Sequence, residues 1–220
     1  MEKKFRKPKR FRAKSDTGFL DRSVVNLDVT YLCALVCPSC QRQTMVRNLG
    51  KKVTGNHLSK TDFTKLLRHF NLIDFEGQYS DPVHHPEFIE FLELCYEHGS
   101  EVVIHNASSV KSKAWYQKAF RANPDATWVF AIDGLPEDSH KYRINQDGKK
   151  LFEIMVDSKN YLHNKPVWQY IVFKYNQDNI ETAIKLAADS DISFYTIYSS
   201  RWQGENDPYM PSKKYRLPTI

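Results

Sequence analysis

Three cysteines within eight residues, Cys33, Cys37 and Cys40, are the densest chemistry in the chain. At CxxxCxxC spacing on one loop, all three thiolates can point at one centre. A four-iron cluster wants four ligands, so three cysteines leave one iron open to another molecule. Zinc is a second reading, with His57, His84 or His85 as fourth ligand, although zinc sites usually pair their ligands in two separated clusters. A third takes Cys37-Pro38-Ser39-Cys40 as a redox pair with a lowered thiol pKa, which leaves Cys33 surplus. A role as buried filler fits poorly, because Pro and Ser among the cysteines spoil an apolar core pattern. Cys95, alone in an apolar helical run, reads as a small buried thiol.

The elements that must position these residues follow from period and punctuation. Residues 24–30 (VVNLDVT) are β-branched and predict a first strand, and the cysteine loop follows it. The polar stretch 47–60, with Gly50 and Gly55, reads as a loop, after which Ser59 or Thr61 caps a helix to about residue 70. Strands are predicted over 72–75, 101–105, 127–132, 167–173 and 192–198, and helices over 87–98, 113–122, 149–162 and 179–188. That alternation implies a parallel sheet built from right-handed crossovers, either open or a partial barrel. Ligands in such folds gather at the carboxyl ends of the strands. The cysteine loop, GQYSDP, NASS and IDG each follow a strand, so all four segments face one site.

Composition limits the alternatives. With 220 residues, 41% hydrophobic and 26% charged, the chain suits one soluble globular core, and no apolar run approaches the ~18 residues of a membrane span. Four cysteines are too few for a disulfide scaffold. The net charge of +6 is concentrated in residues 1–14, which carry eight Lys or Arg and one Glu, so the rest is near neutral. This basic tail lacks the apolar stretch of a secretory signal, and the expected location is cytoplasmic. Nucleic acid binding through residues 1–14, with Phe5 and Phe11 as stacking faces, is not favoured over a solvated extension. The expected organisation is a flexible tail over 1–20, a core over 21–200 and a C-terminal tail over 201–220 laid on the body or partly disordered.

The segment VVNLDVTYLCALVCPSCQR resembles the opening of the radical S-adenosylmethionine (SAM) superfamily, whose CxxxCxxC signature follows the first strand, and Cys33, Cys37 and Cys40 match all three positions. The resemblance runs to about residue 200 and implies an α/β fold, a partial (β/α)6 TIM-like barrel of parallel strands. Residues 75–82 (FEGQYSDP) with the trailing HPEF are similar to the family's Gly-Gly-Glu-Pro segment, but Gln78 replaces the second glycine and the acid comes only at Asp81. The resemblance implies that Gly77, Gln78, Ser80 and Asp81 lie near the SAM amino group. His105-Asn106-Ala107-Ser108 stands where peptide-modifying members have Thr-Asn-Gly-Ser, which implies Asn106 and Ser108 near the SAM ribose and carboxylate. Asp133 in the segment after strand four, Arg143 as partner of the SAM carboxylate and Tyr198 near adenine complete the implied cofactor site.

The resemblance further implies a [4Fe-4S] cluster on the three cysteines and one-electron cleavage of SAM to a 5′-deoxyadenosyl radical that takes a substrate hydrogen. An electron donor such as flavodoxin or ferredoxin is the implied partner. The likeness is to the core of peptide-modifying, SPASM-type enzymes, whose C-terminal domain carries further cysteines. No cysteine follows Cys95, so no auxiliary cluster is expected, and a peptide or protein substrate is expected to cover the barrel mouth. Two other classes stand beside this one: a non-catalytic zinc or cluster module binding RNA through the basic tail, and a thiol oxidoreductase using Cys37 and Cys40.

Overall fold

The computed structural model describes residues 24–199, 202, 204 and 206–216. Residues 1–20, and with them the basic tail, lie outside the described residues, as does part of 201–220. Six strands, β1 (Val24–Asn26), β2 (Leu72–Glu76), β3 (Glu101–Asn106), β4 (Thr127–Ala131), β5 (Val167–Ile171) and β6 (Ser193–Ile197), form one sheet in the order β1-β2-β3-β4-β5-β6. Every neighbouring pair is parallel. Parallel neighbours need a crossover between them, and helices supply it. They are α1 (Gln41–Leu49), α2 (Lys60–Leu67), α3 (Phe88–His98), α4 (Lys113–Ala122), α5 (Gly148–Ser158) and α6 (Ile180–Asp189). This is the predicted partial barrel, an open parallel sheet wrapped by helices.

Alternation along the strands decides which face is covered. Ile73, Phe75, Val102, Ile104, Trp128, Phe130, Trp168 and Tyr170 are buried in the single hydrophobic core. Their rings interlock with the helices: Phe63 of α2 stacks on Phe91 of α3 at 4.1 Å, and Phe120 of α4 meets Trp128 edge-on at 5.0 Å. Cys95 is fully buried in this layer, as its apolar surroundings predict. The intervening strand residues Asp74, Glu76, His105 and Gln169 are only half-buried, and Tyr195 is exposed. Among the described residues no helix is long and apolar enough to cross a membrane.

Several boundaries differ from the sequence expectation, among them the ends of α2 at Leu67 and of β5 at Ile171. The β1 ladder stops at Asn26 instead of reaching residue 30, because Asp28 turns its carboxylate to the loop after β2. Helix α1 occupies residues read as the end of the cysteine loop and the start of a polar loop. None of its nine residues is buried, so it has no apolar period to betray it. It is defined instead by its ends, with Cys40 as N-cap and Gly50 as a left-handed C-cap at φ 61°. Helix α5 ends at Ser158 rather than residue 162, where the Ser158 hydroxyl donates back to the Met155 carbonyl at 2.7 Å. Beyond β6, Tyr209 accepts from Lys174 N–H at 2.9 Å and its ring packs on Tyr142, so this part of the C-terminal segment lies over the loop after β5.

Candidate functional site

The cysteine loop is held by the loops after β2 and β4 and by helix α1. Leu32 accepts from Asp81 N–H at 3.0 Å after β2, while Val36 N–H donates to Ile144 carbonyl at 3.1 Å and Asn145 Nδ2 donates to Ala34 carbonyl at 3.1 Å after β4. Arg42 of α1 donates to the Tyr31 and Tyr79 carbonyls, tying the loop's start to the segment after β2. Arg47 donates to the Pro38 carbonyl at 2.6 Å and so braces the CPSC turn. Cys33, Cys37 and Cys40 are all half-buried and none is in a disulfide.

The segment after β2 is a tight turn built on glycine. A Cβ on Gly77 would lie 2.0 Å from the Ser80 carbonyl oxygen, so no other residue fits without moving backbone. Asp28 holds this turn: its carboxylate accepts from Gln78 N–H at 3.1 Å, Tyr79 N–H at 3.3 Å and Ser80 Oγ at 2.6 Å. Asp81 points away from the turn and inward. Its Oδ2 accepts from Ala107 and Ser108 N–H at 2.8 and 2.9 Å, and its Oδ1 accepts from Val83 N–H at 3.3 Å. Burial lifts this carboxyl to about 6, against the pull of those backbone donors. Asp81 thereby joins the segments after β2 and β3.

The turn after β3 is closed by its own side chains. Asn106 donates to Tyr116 Oη at 2.9 Å and accepts from Ser108 N–H at 3.1 Å, while Ser108 Oγ meets His84 Nε2 at 3.1 Å. Gln146 then links this turn to β4, donating to the carbonyls of Ala107 at 2.6 Å and Ala131 at 2.9 Å. Beyond β4, buried Asp133 accepts from Ile171 N–H at 2.8 Å and forms an ion pair with Arg143 Nε at 2.7 Å. Burial opposes the charge on Arg143, but Asp133 and Cys37 outweigh it and raise its pKa. The contact runs through Nε, although neither Nε nor Asp133 Oδ2 makes a well-aligned hydrogen bond, and among the described residues no hydrogen bond reaches the terminal amino groups.

Burial also governs the thiols. It pushes Cys33 up to about 12, with Asp81, Cys37 and Cys40 adding to the effect, and Cys37 up to about 11 despite the opposing Arg143. Burial thus works against a lowered thiol pKa at Cys33 and Cys37. The histidines considered as zinc ligands are engaged elsewhere: His57 with Thr30, His84 with Ser108, and His85 with both Leu58 carbonyl and Glu87 N–H. Among the described residues no three His, Cys, Asp or Glu side chains are arranged to hold a metal ion. The donor set is three unbridged thiols on one braced loop, the soft ligands that a thiophilic group takes.

The fold thus brings Gly77, Gln78, Ser80, Asp81, Asn106, Ser108, Asp133 and Arg143 to the strand ends around the cysteines. Asp81, Asn106 and Asp133 spend their recorded polar contacts on protein partners. Tyr198, past β6, is 39% exposed and stacks on Tyr215 at 6.5 Å, beside the C-terminal segment. Sequence reasoning missed Asp28, Arg42, Asn145 and Gln146. Asp28 carried a signal, an acid interrupting a β-branched strand, whereas the other three look like ordinary loop or helix-surface residues.

No protein-family model matches the chain, and no curated protein sequence is significantly similar to it. Solved structures do match its fold. SuiB of Streptococcus suis bound to the precursor peptide SuiA aligns with a TM-score of 0.65 at 13% identity, covering 79% of this chain and 38% of SuiB. SuiB bound to S-adenosylmethionine gives 0.64 at 14% identity, covering 84% and 40%. Methylornithine synthase (PylB) gives 0.58 at 12% identity, covering 84% of this chain and 55% of that one. The chain spans about two-fifths of the length of the SuiB structures. The six-stranded parallel partial barrel of this chain is therefore the fold it shares with SuiB and methylornithine synthase.

Proposed function

We propose that the chain is a radical SAM catalytic core in which Cys33, Cys37 and Cys40 hold a [4Fe-4S] cluster and SAM lies beside it. The observation that carries the reading is the pairing of three unbridged thiols with the inward-facing Arg143, whose terminal amino groups are unspent. A planar guanidinium with two free amino groups is the natural partner of a carboxylate, and Asp133 sets its plane. The turn of Gly77, Gln78 and Ser80 offers backbone groups to the SAM amino group, and Asp28 keeps that turn in shape. Asp81, Asn106 and Ser108 position the neighbouring backbone, and Tyr198 with Tyr215 borders the adenine side. When bound, cluster and SAM supply a one-electron route to hydrogen abstraction, and the protein's part is orientation and exclusion of water.

The substrate class we infer is a peptide or protein, supported by the fold likeness to SuiB bound to its precursor peptide. The reducing electron comes from a carrier such as flavodoxin or ferredoxin. The core is assigned to residues 21–200, with 1–20 and 201–220 as appendages. Anaerobic reconstitution with iron and sulfide tests the cofactor assignment: about four irons and four sulfides per chain are expected, with an EPR signal of the reduced protein that shifts on adding SAM. Each of Cys33→Ala, Cys37→Ala and Cys40→Ala loses the signal. Stoichiometric zinc that survives air, with no iron incorporated, would instead establish the zinc module.

A further inference from the structure

The loop after β4 runs along the cysteine loop in the opposite sense and touches it three times. Asn145 Nδ2 donates to the Ala34 carbonyl, Val36 N–H donates to the Ile144 carbonyl, and the Tyr142 hydroxyl meets the Ser39 side chain, between Cys37 and Cys40. The braces already described fall on residues 31–36 and on the Pro38 carbonyl, so Tyr142 adds the hold on the Ser39 side chain. Tyr142 is only 9% exposed, yet it stands outside the main hydrophobic core. Its cover is two other rings. Phe173, in the loop after β5, stacks on it at 4.0 Å, and Tyr209, in the C-terminal segment, meets it edge-on at 5.1 Å.

The C-terminal segment is itself pinned. Tyr209 carbonyl accepts from Lys174 N–H at 2.9 Å, Tyr209 N–H donates to Asp207 Oδ1 at 2.8 Å, and Ser212 N–H donates to Gln177 Oε1 at 2.8 Å. Asp207, Met210 and Pro211 are buried, although residues 207–212 form neither helix nor strand. Such a stretch is held by its contacts with the loop after β5 and not by regular structure of its own. We propose that Tyr142 is a positioning residue for Cys37, and that residues 207–212 act through it by clamping its ring against Phe173. Two aromatic neighbours on one ring restrict its rotation, and the hydroxyl at its end becomes a fixed point for the CPSC turn. The positioning rests on this chain's own contacts. Its consequence rests on the radical SAM reading, under which a loosened Cys37 leaves an iron open to oxygen.

The test uses the full chain before and after reconstitution, with Tyr209→Ala, Tyr142→Phe and Tyr209→Phe. Anaerobic alkylation of the reduced, metal-free chain by iodoacetamide, read cysteine by cysteine in a mass spectrometer, compares Cys37 with two internal references. Cys33 is held through Leu32 by the segment after β2, and Cys95 is fully buried in the core. In Tyr209→Ala the Cys37 rate is expected to rise about five- to tenfold, the factor that one lost aromatic pair supplies, with Cys33 unchanged and Cys95 protected. Tyr142→Phe keeps the ring but removes the hydroxyl from Ser39, and is expected to raise the Cys37 rate as well. Tyr209→Phe keeps the clamp and is expected to match the wild type. After reconstitution, the cluster of Tyr209→Ala should bleach faster in air than that of Tyr209→Phe. An unchanged Cys37 rate in Tyr209→Ala, or one that rises only together with Cys33 and Cys95, overturns the positioning role. A wild type that takes up no iron and sulfide counts against the radical SAM reading alone, since alkylation of the metal-free chain decides the role of Tyr142 by itself.

Discussion

Asp81 and His84 lie three residues apart and titrate in opposite senses. Burial lifts Asp81 from an ordinary 3.8 to about 6, so the folded chain binds its proton more tightly than the unfolded chain does. Its contribution to stability is therefore fullest at low pH and is lost as pH rises through about 6, by roughly 3 kcal/mol. Burial, with Lys111 and Arg42 nearby, pushes His84 down to about 4, so its contribution is present above its ordinary 6.5 and is lost as pH falls toward 4. The two slopes oppose each other in the wild type. Asp81→Asn removes one of them, so wild-type stability relative to the variant should fall by roughly 3 kcal/mol between pH 4 and 6.5 in urea denaturation. A constant difference across that range would contradict the burial argument. Arg143→Ala strands Asp133 as a buried, uncompensated acid, and a loss of about 3–5 kcal/mol is expected in the same assay, with Arg143→Lys intermediate. An Arg143→Ala protein as stable as the wild type would show that the pair carries no structural weight.

At the scale of elements, the site is a set of short segments braced against one another. Gly77→Ala drives a methyl into the Ser80 carbonyl, so a cost of about 1–3 kcal/mol and weakened SAM binding are expected by denaturation and equilibrium titration. Wild-type stability and affinity in that variant would mean that the turn relaxes freely. Asp28→Ala should weaken SAM binding with little effect on cluster content, because it frees Gln78, Tyr79 and Ser80 while leaving the cysteine loop's own braces in place; equal loss of iron would contradict that division. These segments also show where sequence reading stops. The cysteine spacing and the Gly77 turn were legible because they are local, and the strand-end placement followed from alternation. Asn145 and Gln146 were not, since each acts on carbonyls 15 to 111 residues away, a relation that exists only once the sheet has formed. Helix α1 escaped notice for a different reason, as it ends on a left-handed glycine cap, is tied down by two arginines and shows no buried stripe.

For the whole molecule, the order of strands and helices was legible almost throughout, because each strand buries large residues on one face and each crossover carries a helical period against it. Ends were less so: the strand expected over 24–30 spends its second half bracing the site, which alternation cannot reveal. The open sheet leaves the strand ends and the half-buried face with Asp74, Glu76, His105 and Gln169 available to ligands, and the described part of the C-terminal segment lies along one side. The central claim is chemical, and one assay meets it most directly: anaerobic incubation of the reconstituted chain with dithionite and SAM, with 5′-deoxyadenosine measured against a Cys33→Ala, Cys37→Ala, Cys40→Ala control. The account predicts 5′-deoxyadenosine from the wild type and none from the control. A fully reconstituted wild type that binds SAM yet forms no more product than the control would contradict it.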